Sequence, residues 1–231
     1  MRPPPSGKHA CGRSRCRGDP LDVLCHRGYW KGPEEKNTEA AFRRGFALGL
    51  GTETDLRDDG RGGIVISHDP VRDGSTMTFE AFLALHGEYG HPGRLALNIK
   101  ADGLARSVRA TLDRFPDVKA FVFDMSVPDA REYPRSGLPL FSRLSEQEPF
   151  LSWAGSAAGV WLDGFDGVWY GEPVIGEHLA AGRSVCLVSP ELHRRPPEEL
   201  WSWLAASRLT GHSELMLCTD LPEEALARFC R

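Results

Sequence analysis

The chain has 231 residues, 41% of them apolar and 26% charged, with a formal net charge of −4. That length and apolar share support one domain with a sizeable core, while the small charge and the lack of a long basic run in the body leave no footprint for nucleic acid. No apolar run approaches the roughly 18 residues that a membrane span needs.

Residues 1–20 are rich in Pro, Gly and Arg, show no apolar periodicity and lack the apolar stretch of a signal peptide. They read as a flexible tail ahead of a single domain over 21–231. Cys11 and Cys16 lie in that tail without a His or Cys partner at structural-zinc spacing. Cys25, Cys186 and Cys218 lie inside apolar runs, where a thiol acts as a small buried hydrophobe. This usage fits a reducing cytoplasm better than a disulfide framework.

After the tail, LDVLCH (21–26) is a first strand. Asn37 or Thr38 then caps a helix over TEAAFRRGFALG, with Ala41, Phe42, Gly45, Phe46 and Leu48 on one face. GTETDL (51–56) is the second strand, and GGIVIS (62–67) is an extended run that can pair with it across a turn. A helix over 79–85 precedes RLALNIK (94–100), the third barrel strand. LARSVRATLDRF is the next helix, followed by KAFVFDMS (119–126), PLFSRLS (139–145) and GVWLDGF (159–165) as strands. EPVIGEHLAAG is a helix with a glycine stop, RSVCLVSPEL (183–192) a strand, and PPEELWSWLAASR a helix with Pro in its first turn. ELMLCTD (214–220) and PEEALARFC close the chain. Eight strands alternating with helices predict a parallel sheet covered by helices, either a (β/α)₈ barrel or an open doubly wound sheet. No glycine fingerprint of a nucleotide fold is present.

Polar clusters stand where three of the early apolar runs end: His26-Arg27, Glu53-Thr54-Asp55 and His68-Asp69. Strand ends are where an α/β barrel gathers its chemistry. Glu53 and Asp55 are two apart in a strand, so they project together, and two adjacent carboxylates repel unless a proton or cation sits between them. Hard oxygen donors favour Mg²⁺ or Ca²⁺. Each of these residues taken alone is ordinary, but four of them at strand ends of one unit argue for proton transfer beside a metal. Asp124, Arg143, Asp163, Ser189, Glu191 and Asp220 fall at or just beyond later strand ends. Arg143 in an apolar strand needs an anionic partner, either Asp124, Glu53 or a bound phosphate. Trp161, Trp169 and Tyr170 cluster near the sixth strand, as a wall for a substrate's alcohol portion or as barrel packing. His178, His193 and His212 have no partner at ligand spacing and receive no role.

The order HRG, NTEAAF, ETD, SHD over 24–69, with LALNIKADG and LCTDLPEEAL further on, resembles the glycerophosphodiester phosphodiesterase family, relatives of the phosphatidylinositol-specific phospholipases C. The resemblance implies a single-domain (β/α)₈ barrel with a divalent cation at its mouth. It also implies His26 and His68 as the general acid and base, Arg27 and Lys100 as phosphate contacts, and Glu53 and Asp55 as metal carboxylates. Arg143 and Trp161 join the substrate-binding set. The implied activity is hydrolysis of a small-molecule or lipid-headgroup phosphodiester. Asn98 stands where that family usually has a third metal glutamate; an amide oxygen can still coordinate, with one charge fewer. Lys36 before Asn37-Thr38, and LRDDGRGGIVIS before His68, also depart from the family pattern. Two alternatives therefore remain open: a lyase that stops at a cyclic phosphate, and a non-catalytic phosphate-ester binding module.

Overall fold

A computed structural model describes residues 21–71 and 76–229; the tail read over 1–20 lies outside the described residues. Each apolar run forms a strand: β1 (Asp22–His26), β2 (Gly51–Asp58), β3 (Ile64–Ile66), β4 (Leu95–Ile99), β5 (Ala120–Phe123), β6 (Leu140–Leu144), β7 (Ala157–Leu162), β8 (Ser184–Val188) and β9 (Leu215–Thr219). Eight of them are parallel in the order β1-β2-β4-β5-β6-β7-β8-β9, and β9 pairs back onto β1. The sheet therefore closes into a (β/α)₈ barrel, which decides against the open sheet. β3 lies outside the closure, antiparallel to β2 with Ile66 opposite Leu56, across the turn expected from the sequence.

Strand alternation divides the apolar residues into two layers. Leu24, Ala96, Phe123, Trp161, Cys186 and Met216 fill the barrel interior. Leu56, Leu97, Val122 and Leu217 face the helices. Those helices are α1 (Glu39–Ala47), α2 (Phe79–Glu88), α3 (Ala105–Leu112), α4 (Val127–Ala130), α5 (Glu132–Arg135), α6 (Glu172–Ala180), α7 (Glu198–Ala206) and α8 (Pro222–Phe229). Thr38 and Thr78 cap α1 and α2 by accepting from the Ala41 and Ala81 amides. Ala41, Phe42, Gly45 and Phe46 are buried as their spacing predicts. Leu48 is 42% exposed instead, because α1 ends one residue earlier and the chain turns away at Gly49, φ +78°. Between β5 and β6 no helix was expected, and Pro128 and Pro134 hold the structure there to two single turns, α4 and α5. No described helix is long and apolar enough to cross a membrane.

Candidate active site

The chain turns sharply as β1 ends. Arg27 and Gly28 hold left-handed backbone, φ +58° and +82°, and a Cβ on Gly28 would come within 2.8 Å of the Ala41 Cβ. The Arg27 amide donates to the Glu53 carbonyl at 3.0 Å and the Gly28 amide to Thr52 Oγ1 at 3.0 Å, which locks the turn against β2. This places His26 with Nδ1 2.7 Å from Asp220 Oδ1, at the exit of β9, and Nε2 4.0 Å from Glu53 Oε2. Trp30 Nε1 lies 3.2 Å from the same Asp220 oxygen. A carboxylate on Nδ1 fixes the proton there and leaves Nε2 to face the mouth.

Glu53 and Asp55 both project inward from β2 and are 1% and 0% exposed. Burial first, and then the Asp55 charge, hold the Glu53 carboxyl well above the usual carboxylate range; His26, Arg27 and Lys100 pull it back. Asp55 is compensated by Arg27 Nε at 2.9 Å, Lys100 Nζ at 3.5 Å and the Asn37 amide, which donates to Oδ2 at 2.8 Å. Lys100 also lies 3.5 Å from Asp124 Oδ2. Asn98, on β4, stands opposite Asp55 in the parallel register, 7% exposed. Its Oδ1 and Asp55 Oδ1 are buried without a hydrogen-bond partner. Two adjacent buried carboxylates and an orphaned amide oxygen, on neighbouring strands, fit a divalent cation with oxygen ligands. No group of three His, Cys, Asp or Glu side chains placed to hold a metal occurs among the described residues; the third donor here is an amide.

The remaining sequence-predicted residues are dispersed around this cluster. His68, on the loop after β3, is half-exposed and pairs with its neighbour Asp69 at 2.9 Å. With Arg27, Asn37 and Lys36 it lines an open cleft of about 830 Å³. The loop is tied back to β2 by the Ser67 amide, which donates to the Asp55 carbonyl at 3.0 Å. Arg143 is already paired, by Nη1 to Asp124 Oδ1 at 2.7 Å and by Nε to Glu148. Glu53 is therefore not its anion. Asp124 and Asp163 are likewise engaged, Asp163 with His193, so neither stands free to replace the charge missing at Asn98. Trp161 is buried in the barrel interior, stacked on Phe123 with ring centroids 4.0 Å apart. Tyr170 sits instead in the outer layer, edge-on to Trp169, so the three rings do not form one wall.

Three further groups escaped the sequence reading. Trp30 bonds Asp220, at the far end of the chain, and Asn37, read only as a helix-cap candidate, bonds both Asp55 and Thr54. Asn37 has φ +61° and leaves the helix cap to Thr38, a division that the Asn-Thr pair signals only in hindsight. His193, to which no role was given, has Nε2 2.7 Å from Asp163 Oδ1, a contact between residues thirty apart that no spacing rule reveals.

Neither a protein-family model nor a curated protein matches the sequence. Solved structures do match it. A glycerophosphodiester phosphodiesterase from Agrobacterium tumefaciens superposes with a TM-score of 0.67 at 14% identity, over 90% of this chain and 99% of that one. One from Parabacteroides distasonis gives 0.64 at 18% identity, over 91% and 97%. A Galdieria sulphuraria protein described as a candidate member of the same class gives 0.71 at 15%, over 91% and 98%. The barrel of these phosphodiesterases is thus shared along nearly the whole chain, with little of the sequence retained.

Proposed function

We propose that this chain is a metal-dependent phosphodiesterase that hydrolyses a glycerophosphodiester-like substrate by histidine acid–base catalysis. One observation carries the reading. The His26–Asp220 pair, the Glu53, Asp55 and Asn98 oxygens and the Arg27 and Lys100 cations converge on one mouth of a barrel shared with glycerophosphodiester phosphodiesterases. Arg27 and Lys100 would stabilise charge on the phosphoryl oxygens, trading part of their contact with Asp55 for the ester. Glu53, Asp55 and Asn98 would hold Mg²⁺ or Ca²⁺, which when bound supplies positive charge at the phosphoryl group. His26, oriented by Asp220, exchanges a proton at Nε2. His68, on the rim beside Arg27, is the second imidazole of this reading. Cys25, Cys186 and Cys218 are free and buried, in keeping with the cytoplasmic location that we propose.

The test is a panel of glycerol, choline, inositol and lysolipid-headgroup phosphodiesters, assayed with each cation and with a chelator. Cation-dependent release of a phosphomonoester supports the reading. A persisting cyclic phosphate in the phosphorus NMR spectrum converts it to a lyase. One observation favours a second reading, a phosphate-ester binding module: Asn98 lacks a charge, while Asp55 is already neutralised by Arg27 and Lys100. Calorimetric binding of an ester with no turnover under any cation would establish that alternative.

A further inference from the structure

The end of the barrel opposite the mouth carries a cavity that the reading above does not use. It has a volume of about 480 Å³ and lies among the residues that begin β4 through β9, with the end of α3 as one wall. The sequence opens it by breaking the ladder between β5 and β6. Those strands register at one pair only, Val122 opposite Leu140, whereas β4–β5 and β6–β7 register at four and five. Pro139 has no amide hydrogen, and the Leu138 amide is spent on the Tyr133 carbonyl at 3.0 Å, so neither donates to β5. β6 also slips against β7: Leu140 faces Ala157 and Phe141 faces Gly159, which leaves Ala158 unpaired. A Cβ on Gly159 would stand 2.4 Å from the Phe141 ring. Its absence lets that ring lie on the β7 backbone and stack on Phe121, centroids 3.7 Å apart, and both rings line the cavity.

The lining sets what the cavity can hold. Leu112, Phe115, Val118 and Leu138 extend the apolar wall begun by the two stacked rings. Among the charged groups there, Arg94 and Glu214 satisfy each other at 3.0 Å, with Ser184 donating to Glu214 and Asp22 beside Arg94 at 3.7 Å. The two other cations keep unused capacity. Lys119 acts on Asp22 only at a distance, and its amine enters no hydrogen bond or ion pair among the described residues. Arg109 reaches Asp113 through Nη2 at 2.8 Å, but its Nε is buried with no hydrogen-bond partner. A buried donor left unpaired is costly, and an anionic oxygen is the acceptor that relieves it best. An apolar cavity whose unspent polar groups are both cations matches a ligand with an apolar body and one acidic group. We infer that this cavity binds a small amphipathic acid, an acyl or aryl carboxylate, with its anion at Arg109 and Lys119 and its body against Phe121 and Leu138. A neutral or cationic ligand of the same shape would leave Arg109 Nε unpaired. The site lies at the other end of the barrel from the phosphodiester chemistry and does not depend on it.

The experiment titrates the full chain by calorimetry with octanoate and 2-naphthoate. Their neutral partners 1-octanol and 2-naphthol, and the cation octyltrimethylammonium, serve as controls. At least one acid is expected to bind with a Kd below about 1 mM, and about tenfold or more tighter than its neutral partner. Which acid binds more tightly tells an acyl ligand from an aryl one. Lys119→Gln and Arg109→Gln are each expected to weaken that binding about tenfold. Ala158→Phe, which fills the cavity, is expected to abolish it. His26→Ala, at the mouth, is expected to bind as the parent does. Melting curves equal to the parent's for the two charge variants separate lost binding from misfolding. No binding at about 1 mM, equal affinity for acid and alcohol or for the cationic analogue, or full affinity in either charge variant overturns the assignment. Loss of binding in His26→Ala would move the acid to the mouth and overturn it as well. A dimer in light scattering that Ala158→Phe dissociates would give the cavity to a second copy of the chain instead.

Discussion

The two sides of the barrel mouth are assembled differently. On the β1–β2–β4 side the polar groups sit on the strands themselves or one residue beyond: Glu53, Asp55 and Asn98 within the ladder, His26 and Lys100 at its edge. On the β6–β9 side a residue on a strand or one beyond it meets a partner delivered by a loop: Arg143 with Glu148, Asp163 with His193, and Thr219 with Glu191. Strand positions follow a two-residue period, so their facing is set by sequence. Loop partners are set by the tertiary path and are found only in three dimensions.

The largest effect that would sharpen the contrast belongs to the strand-built side. His26→Ala should lower phosphodiester turnover about 10³-fold or more while the circular dichroism melt stays unchanged; variant activity near that of the parent would remove His26 from the chemistry. Asn98→Glu should tighten Mg²⁺ or Ca²⁺ binding about tenfold or more by calorimetry, since it restores a third carboxylate to the site. Unaltered affinity would mean that β4 does not face the cation.

Smaller effects come from groups on neither side of the mouth. His86 is buried between Phe46 and His91, and burial lowers its pKa to about 4. Its folded value lies below the unfolded one, so the stability it contributes is complete above about pH 6.5 and is lost as pH falls towards 4. The melting temperature should drop by several degrees over that interval, and His86→Phe should flatten the drop. Smallest of all is the response to thiol reagents. Burial pushes Cys25 up to about 12 and raises Cys186 and Cys218 as well, so none of the three should be alkylated at pH 8 until the chain unfolds.

The sequence was most legible where local rules act. Strand exits, the inward pairing of Glu53 with Asp55 and of Asn98 with Lys100, and a helix cap at Asn37 or Thr38 all follow from short-range rules. Closure of the sheet does not, since it depends on β9 reaching β1, some two hundred residues apart. Arg143 was recognisable as a buried cation needing an anion, but not Glu148 as one of its partners. His193 gave no signal at all: its imidazole is explained by Asp163, and Asp163 alone reads as a loop cap. The left-handed backbone at Arg27, Asn37 and Asp124 was equally hidden, because non-glycine residues adopt it only when the surrounding contacts impose it.

Glu191 has a consequence for how this mouth can change over time. One side chain fastens the single helical turn Pro190–His193, which carries one imidazole, to the segment whose Asp220 aims the other. A substitution of Glu191 that moved one ring would therefore disturb the aim of the other as well.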